Sequence, residues 1–459
     1  MRSHRLLLLA LVAFAACRAP AGPAAIPSGT HAAWTRAAVV YEVNVRQFTP
    51  EGTFRALQRH LPRLDSLGVD ILWLMPAQPI GVKNRKGSLG SYYAVSDYTK
   101  INPEFGTAAD VRAFVNDAHR LGMRVILDWV PNHTAFDHPW ITAHPDWYVH
   151  KADGTISNAR DNEGRDTDWT DVAELNYDNA DMRRAMIADM KWWLVQMKID
   201  GFRCDVAGGV PDDFWTDARR QLAAVRPDIF MLAESEAPTM HPAFDATYGW
   251  ELHHLLNQIS QGKKGTDELD LYLARQARAF PADAYRMYFT SNHDENSWNG
   301  TEFERMGANN QPSFVLAATL ANSLPLLYTG QEAGLAKRLR FFEKDTVDWA
   351  GTSYAGFYRS VFTLKHKTPA LQNGAAGGVQ AKLATDGGSR VYAFTRTLGT
   401  GSVLVAVNFG EAPARIAYHG LPLPGRYVDW FGGSPAEFAA AGVLEIPAHG
   451  YRVLVHQGQ

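Results

Sequence analysis

Cysteine is nearly absent from this 459-residue chain, which holds only Cys17 and Cys204. A disulfide framework is therefore excluded, and stability must come from a buried core. Charge of one sign is also lacking, since 45 basic residues face 48 acidic ones for a net charge of -3. A surface that grips a nucleic-acid backbone needs concentrated positive charge, so that class of partner is excluded. Beyond residue 17 no apolar run is long enough and free enough of charge to span a bilayer. The chain carries neither HExxH nor Cys/His zinc spacing. No Gly-rich dinucleotide loop follows the first strand-like run, and Ser235 and Ser291 lack the nucleophile-elbow pattern.

What is present begins with a processing segment. Arg2 and Arg5 precede the apolar run Leu6–Ala16, and small residues lead to Cys17. Ala-Ala-Cys resembles a lipoprotein cleavage site, so residues 1–17 read as a leader and 18–34 as a tether. The expectation is export, with lipid anchorage at Cys17 on an outer membrane, periplasm or cell surface, or plain secretion as the alternative. Hydrophobic residues make up 46% of the chain, an ordinary share for a globular protein. The 13 Trp, 17 Tyr and 22 Phe fill core, and some offer flat faces on which sugars stack.

From Val39 to about Gln331 one unit recurs: a short β-rich run, a polar end, then a helical stretch. Strands are predicted at Val39–Phe48, Val69–Met75, Arg124–Val130, Gly201–Val206, Phe230–Ala233, Phe244–Tyr248, Arg286–Thr290 and Leu324–Tyr328. Runs such as VDILWLM and RVILDWV are apolar on both faces, as in a parallel sheet covered by helices. Helical periodicity marks Thr107–Leu121 and Asp181–Lys198; the Met186, Met190 and Met197 stripe of the latter reads as core. Eight units predict a (βα)₈ barrel over 35–133 and 177–369, with 134–176 a small subdomain inserted after strand three. A doubly wound open sheet is the rival. After about Ala370 short alternating runs take over, predicting a C-terminal antiparallel β-sandwich over 370–459.

The acids stand where such a barrel would gather them. Asp128, Asp205, Glu234 and Asp294 close the runs VILD, GFRCD, MLAE and YFTSNHD. Side chains at the C-terminal ends of barrel strands converge on one mouth, and unpaired buried carboxylates gain a structural element nothing. Cleavage of a glycosidic bond uses two of them, one attacking or stabilising the anomeric carbon and one protonating the leaving oxygen. Arg203 shares a strand face with Asp205, which holds that carboxylate ionised or forms a plain salt bridge. His133 and His293 follow Asn132 and Asn292, and neutral imidazoles there would donate to sugar hydroxyls. Cys204 alternates away from Asp205 and reads as a buried small hydrophobe.

Together these segments resemble the α-amylase family of glycoside hydrolases. DWVPNH (Asp128–His133), GFRCD (Gly201–Asp205), AESE (Ala233–Glu236) and SNHD (Ser291–Asp294) look like its four signatures, in its order. GSYYAVSDYTKINPEFGT and DVAELN match two further shared segments. The resemblance implies Asp205 as nucleophile, Glu234 as general acid/base and Asp294 as the carboxylate gripping the sugar hydroxyls. Arg203, His133, His293 and Asp128 are implied as supporting substrate-site residues, and Tyr93 as the stacking platform. It implies endo-type retaining hydrolysis of α-1,4-glucosidic bonds in starch-like glucans or malto-oligosaccharides. A cyclomaltodextrinase or α-glucosidase, a 4-α-glucanotransferase, and a non-catalytic glucan-binding lipoprotein are the rivals. No cofactor is required for that chemistry. A family-type calcium would sit at Asn132, but Asp205 is followed by VAGGVP where calcium-dependent members carry Lys-His. The short insert implies an open, short-walled cleft.

Overall fold

Alternation along eight short strands explains the architecture. The computed structural model describes residues 31–350 and 353–457; the leader and Cys17 lie outside the described residues. The strands are β1 Val40–Val43, β2 Ile71–Leu74, β3 Arg124–Trp129, β4 Gly201–Cys204, β5 Phe230–Ala233, β6 Ala246–Tyr248, β7 Tyr285–Tyr288 and β8 Ser323–Tyr328. All pair in parallel and close into a barrel in sequence order, β8 returning to β1. Val40, Ile71, Trp73, Ile126, Phe230, Leu232, Met287 and Leu326 fill the bore. Their neighbours Tyr41, Leu72, Leu74, Leu127, Phe202, Met231 and Leu327 face the surrounding helices.

The predicted elements form, several of the strands shorter than expected, and two departures have a visible local cause. The first strand stops at Val43, because the Asn44 side chain accepts the Gln47 N–H and starts a helical turn, Val45–Phe48. The second predicted helix runs Ala180–Trp192 and then widens into a π-turn, Trp193–Met197. Met182, Met186, Met190 and Met197 are fully buried, so the methionine stripe is core. Thr107 and Asp110 cap Ala108–Arg120 reciprocally. Between β3 and β4 the chain makes a two-stranded ribbon, His133–Ala135 against Val172–Glu174, and the intervening loop stands beside the barrel mouth. Among the described residues no helix is long and apolar enough to cross a membrane.

Past the barrel, a six-stranded and a three-stranded antiparallel sheet enclose their own core of Val391, Leu404, Ile416, Tyr427, Ile446 and Leu454. Arg396 of strand Val391–Leu398 ties this module to the barrel at Thr319 and to the segment that leads out of the barrel at Gln372 and Gly378. Its Nε, Nη1 and Nη2 donate to the carbonyls of Gly378, Thr319 and Gln372 at 3.0, 3.1 and 3.0 Å. Burial without a carboxylate pulls its pKa down to about 10. Stripping three buried carbonyls of their donor is costly, so R396A is expected to lower unfolding stability by roughly 2–4 kcal/mol. Denaturant unfolding of R396A against R396K would check this; an unchanged first transition would show that the three bonds do not hold the module in place.

Candidate active site

Strand register assembles the barrel mouth. Glu42 pairs with Trp73 across β1 and β2, and Asp128 with Arg203 across β3 and β4. All four side chains point into the upper bore. Asp205 and Glu234 follow β4 and β5 directly, their N–H groups donating to Trp129 O and Cys204 O. Asp294 follows β7 at the start of a π-turn, Glu295–Asn299.

Arg203 is the centre of the cluster and is completely buried. Its Nη1 donates to Asp128 Oδ1 at 2.8 Å and to Asp205 Oδ1 at 2.9 Å, while Nε donates to the Tyr248 hydroxyl at 3.1 Å. Nη2 lies 3.0 Å from Glu234 Oε1 without hydrogen-bond alignment, so that contact is Coulombic. The rings of Trp73, Tyr248 and Tyr93 stand 5.0, 5.5 and 5.8 Å from the guanidinium carbon. One guanidinium thus touches both Asp205 and Glu234, which fits the short carboxyl separation of a retaining pair.

Burial raises all three acids around Arg203, and the partners decide by how much. Glu234 is pushed up to about 8, because burial and its acidic neighbours outweigh Arg203. Asp205 rises only to about 6: burial lifts it while the bonded guanidinium pulls it down. The higher proton affinity of Glu234 divides the pair, with Asp205 the first to ionise and Glu234 the one that keeps its proton, as acid–base chemistry needs. Glu234 Oε2 is oriented by the Val206 N–H at 2.7 Å. Val206 adopts φ +44°, a left-handed conformation costly for a β-branched residue, and that strain aims the N–H at Glu234.

The expected site residues divide into two layers. Tyr93, His133, Asp205 and Asp294 line one cavity of about 550 Å³. Asp128, Arg203 and His293 do not line it. Substrate contact by Asp128 and Arg203 is corrected on burial: both are wholly enclosed. The Asp128 oxygens are taken by Arg203, Trp73 Nε1 and the Tyr93 hydroxyl. The two histidines also differ. Burial drives His133 down to about 3, keeping it neutral as expected. His293 is not the neutral donor expected: although burial opposes it, Asp294 and Glu42 raise it to about 9.

Hydrogen-bond direction leads to the same state for His293. The Tyr93 hydroxyl donates to Asp128 Oδ2 at 3.0 Å, so its oxygen accepts from His293 Nε2 at 2.7 Å. Nδ1 donates to Glu42 Oε1 at 2.5 Å, and the His293 N–H points to Glu42 Oε2. With both ring nitrogens donating, the imidazole carries a proton on each. Glu42 and Trp73 are thus working residues that the sequence reading passed over. The available signal was an acid inside an otherwise apolar strand, VVYEV.

Asn132, the expected calcium ligand, donates its side-chain N–H to the Arg160 carbonyl at 3.0 Å, which leaves its oxygen, the atom a hard cation takes, uncommitted by that bond. The next carboxylate, Asp161, is bound by the Arg165 guanidinium and the N–H groups of Glu163 and Arg165. Among the described residues no three acid, His or Cys side chains gather as a cation cage.

Replacing Glu42 by Gln keeps an acceptor for Nδ1 but removes the charge. E42Q is expected to lower the His293 titration by roughly 1–3 units, followed by ring-proton NMR. An unmoved titration would remove Glu42 from this role.

Residues 28–357 match the family model for the alpha amylase catalytic domain, and 383–455 that for the alpha amylase C-terminal all-beta domain. An alpha-amylase of Haloarcula japonica is 30% identical over 408 residues, covering 85% of this chain and 57% of that protein. An alpha-1,4-glucan:maltose-1-phosphate maltosyltransferase of Streptomyces coelicolor is 25% identical, covering 83% of this chain and 59% of its own length. This chain therefore spans a little over half the length of these curated relatives. Among solved structures, an alpha-amylase of Lactobacillus plantarum superposes with TM-score 0.82 at 30% identity, over 92% of this chain and all of that one. A noncanonic maltogenic alpha-amylase of Thermotoga neapolitana gives 0.82 at 27%, over 91% and 98%. With its closed parallel barrel, its C-terminal β-sheets and its acids gathered at the strand ends, the chain belongs to the alpha-amylase family of glycoside hydrolases.

Proposed function

We propose that the protein hydrolyses α-1,4-glucosidic bonds of malto-oligosaccharides or related glucans with retention of configuration. The observation that carries this reading is the single guanidinium of Arg203 touching Asp205 and Glu234, which differ in proton affinity. In the proposed sequence Asp205 attacks the anomeric carbon as Glu234 protonates the glycosidic oxygen, and the sugar leaves. Glu234, now a carboxylate, takes a proton from water. That water attacks the same carbon, releasing Asp205 and the product with its original configuration. Asp294, whose side chain is 35% exposed and lines the cavity, is placed to grip sugar hydroxyls, with Tyr93 beneath the ring. The His293 charge, 3.3 Å from Asp294, keeps that carboxylate from repelling its ionised neighbour unopposed.

A non-catalytic glucan-binding role is disfavoured, because the machinery of proton division would then serve nothing. Transfer to a sugar in place of water shares the first covalent step. The relatives named as maltosyltransferases keep transfer as the second reading. The Arg2–Cys17 segment supports export and lipid attachment, tested by detergent partition of the cell-made protein.

Three measurements test the proposal. Activity requires Asp205 ionised and Glu234 protonated, so kcat/KM should rise with pH through about 6 and fall through about 8. D205N should lose roughly four orders of magnitude in kcat while still binding maltotriose. Proton NMR of the first product from maltoheptaose should show the α-anomer; a β-product would overturn retention. Early appearance of chains longer than the substrate would favour transfer.

A further inference from the structure

The geometry points to an enzyme that takes its glucan end-on: the donor side of the cleft is a blind pocket, accepting a free non-reducing end. This rests on the hydrolytic reading above and replaces the endo-type action and open cleft expected from the sequence. The 550 Å³ cavity is lined by Asp205 and Asp294 but not by Glu234, nor by any residue between Asp205 and Asp294. Beyond Asp205 and Asp294 its lining comes from the subdomain and from the loops after β2, β7 and β8, the side taken here to hold the sugar being transferred. Its size suits a short oligosaccharide segment.

Four loops wall this side, and each is sewn to the next. Subdomain and β2 loop are joined by Lys86 Nζ, which donates to the Asp168 carbonyl at 2.7 Å, and by the Val82 N–H on Asp137 at 2.7 Å. The β2 and β8 loops are zipped by Ser88 N–H on Glu343 at 2.8 Å and Leu89 N–H on Phe342 O at 3.0 Å. Buried Arg46 ties both, donating to the carbonyls of Leu89, Gly90 and Phe341. The approach is close enough to demand glycine: a Cβ on Gly87 would lie 2.5 Å from Phe342 Cβ. The β8 and β7 loops are joined by Leu339 N–H on Asn296 Oδ1 at 2.8 Å, Asn296 Nδ2 on Lys337 O and Ser297 Oγ on Leu339 O.

A glucan threading through the donor side would have to part this continuous rim. The loops after β5 and β6 contribute no lining residue to this cavity. The wall also presents apolar faces inward. Phe341 lies nearly parallel to Tyr93, 9° apart and 6.2 Å between centroids, and half-exposed Trp298 packs beside it. Such rings hold the last sugars of a chain that stops there.

The test compares a reporter-labelled maltoheptaoside with a free non-reducing end against the same compound capped by a 4,6-ethylidene group. The capped compound is expected to be cut roughly a hundredfold more slowly, because its cap meets the wall. Free maltoheptaose should lose a short product from its non-reducing end, and cyclic maltodextrins should resist. In the K86A/E343A double variant the capped-to-free rate ratio should rise. Equal rates on capped and free compounds, or ready opening of cyclic maltodextrins, would overturn the blind pocket and leave hydrolysis standing. Cleavage of neither compound would overturn both readings.

Discussion

The structure of the mouth depends on one buried cation. Arg203 has no access to solvent, and desolvating a guanidinium costs several kcal/mol unless its donors are met. Here the compensation is a ring of acids, Asp128 behind it and Asp205 and Glu234 beside it, with three aromatic faces around them. The dependence is mutual. Without the guanidinium, burial would drive Asp205 and Asp128 toward their neutral forms. Without the acids, the cation could not stay inside the barrel.

The unequal sharing of that cation is what separates the two carboxyls chemically. Asp205 receives an aligned hydrogen bond and Glu234 only an unaligned approach, while the strained Val206 peptide orients Glu234 from the far side. A second, parallel chain runs from Glu42 through His293 and Tyr93 to Asp128. It sets an imidazolium, balanced by Glu42 on one side, beside Asp294 on the other. The two chains meet at Asp128, which accepts from Arg203, Trp73 and Tyr93. These partners enclose it completely, and that enclosure keeps it from a sugar.

The walls add what the floor cannot supply. Barrel strands deliver the reacting groups to one plane, but how many sugars fit beyond them depends on loops. In this chain Arg46, Lys86, Glu343 and Asn296 spend their hydrogen bonds on neighbouring loops. The apolar faces of Phe341 and Trp298 are thereby held upright against solvent.

Much of this was legible in the residues alone. Alternation and doubly apolar runs determined the eight strands and hence the barrel. Acids at the ends of VILD, GFRCD, MLAE and YFTSNHD determined that carboxyls would meet, because the fold leaves them nowhere else to go. The buried methionine stripe and the inward silence of Cys204 were equally readable. Only the tertiary structure decided which acid is enclosed and which faces the cavity, that His293 carries charge, and that Glu42 holds it. Those outcomes depend on hydrogen-bond direction and desolvation between residues up to 251 positions apart, which local pattern does not encode. The closed rim was likewise invisible, since a loop's length is written in the chain but the neighbour it binds is not.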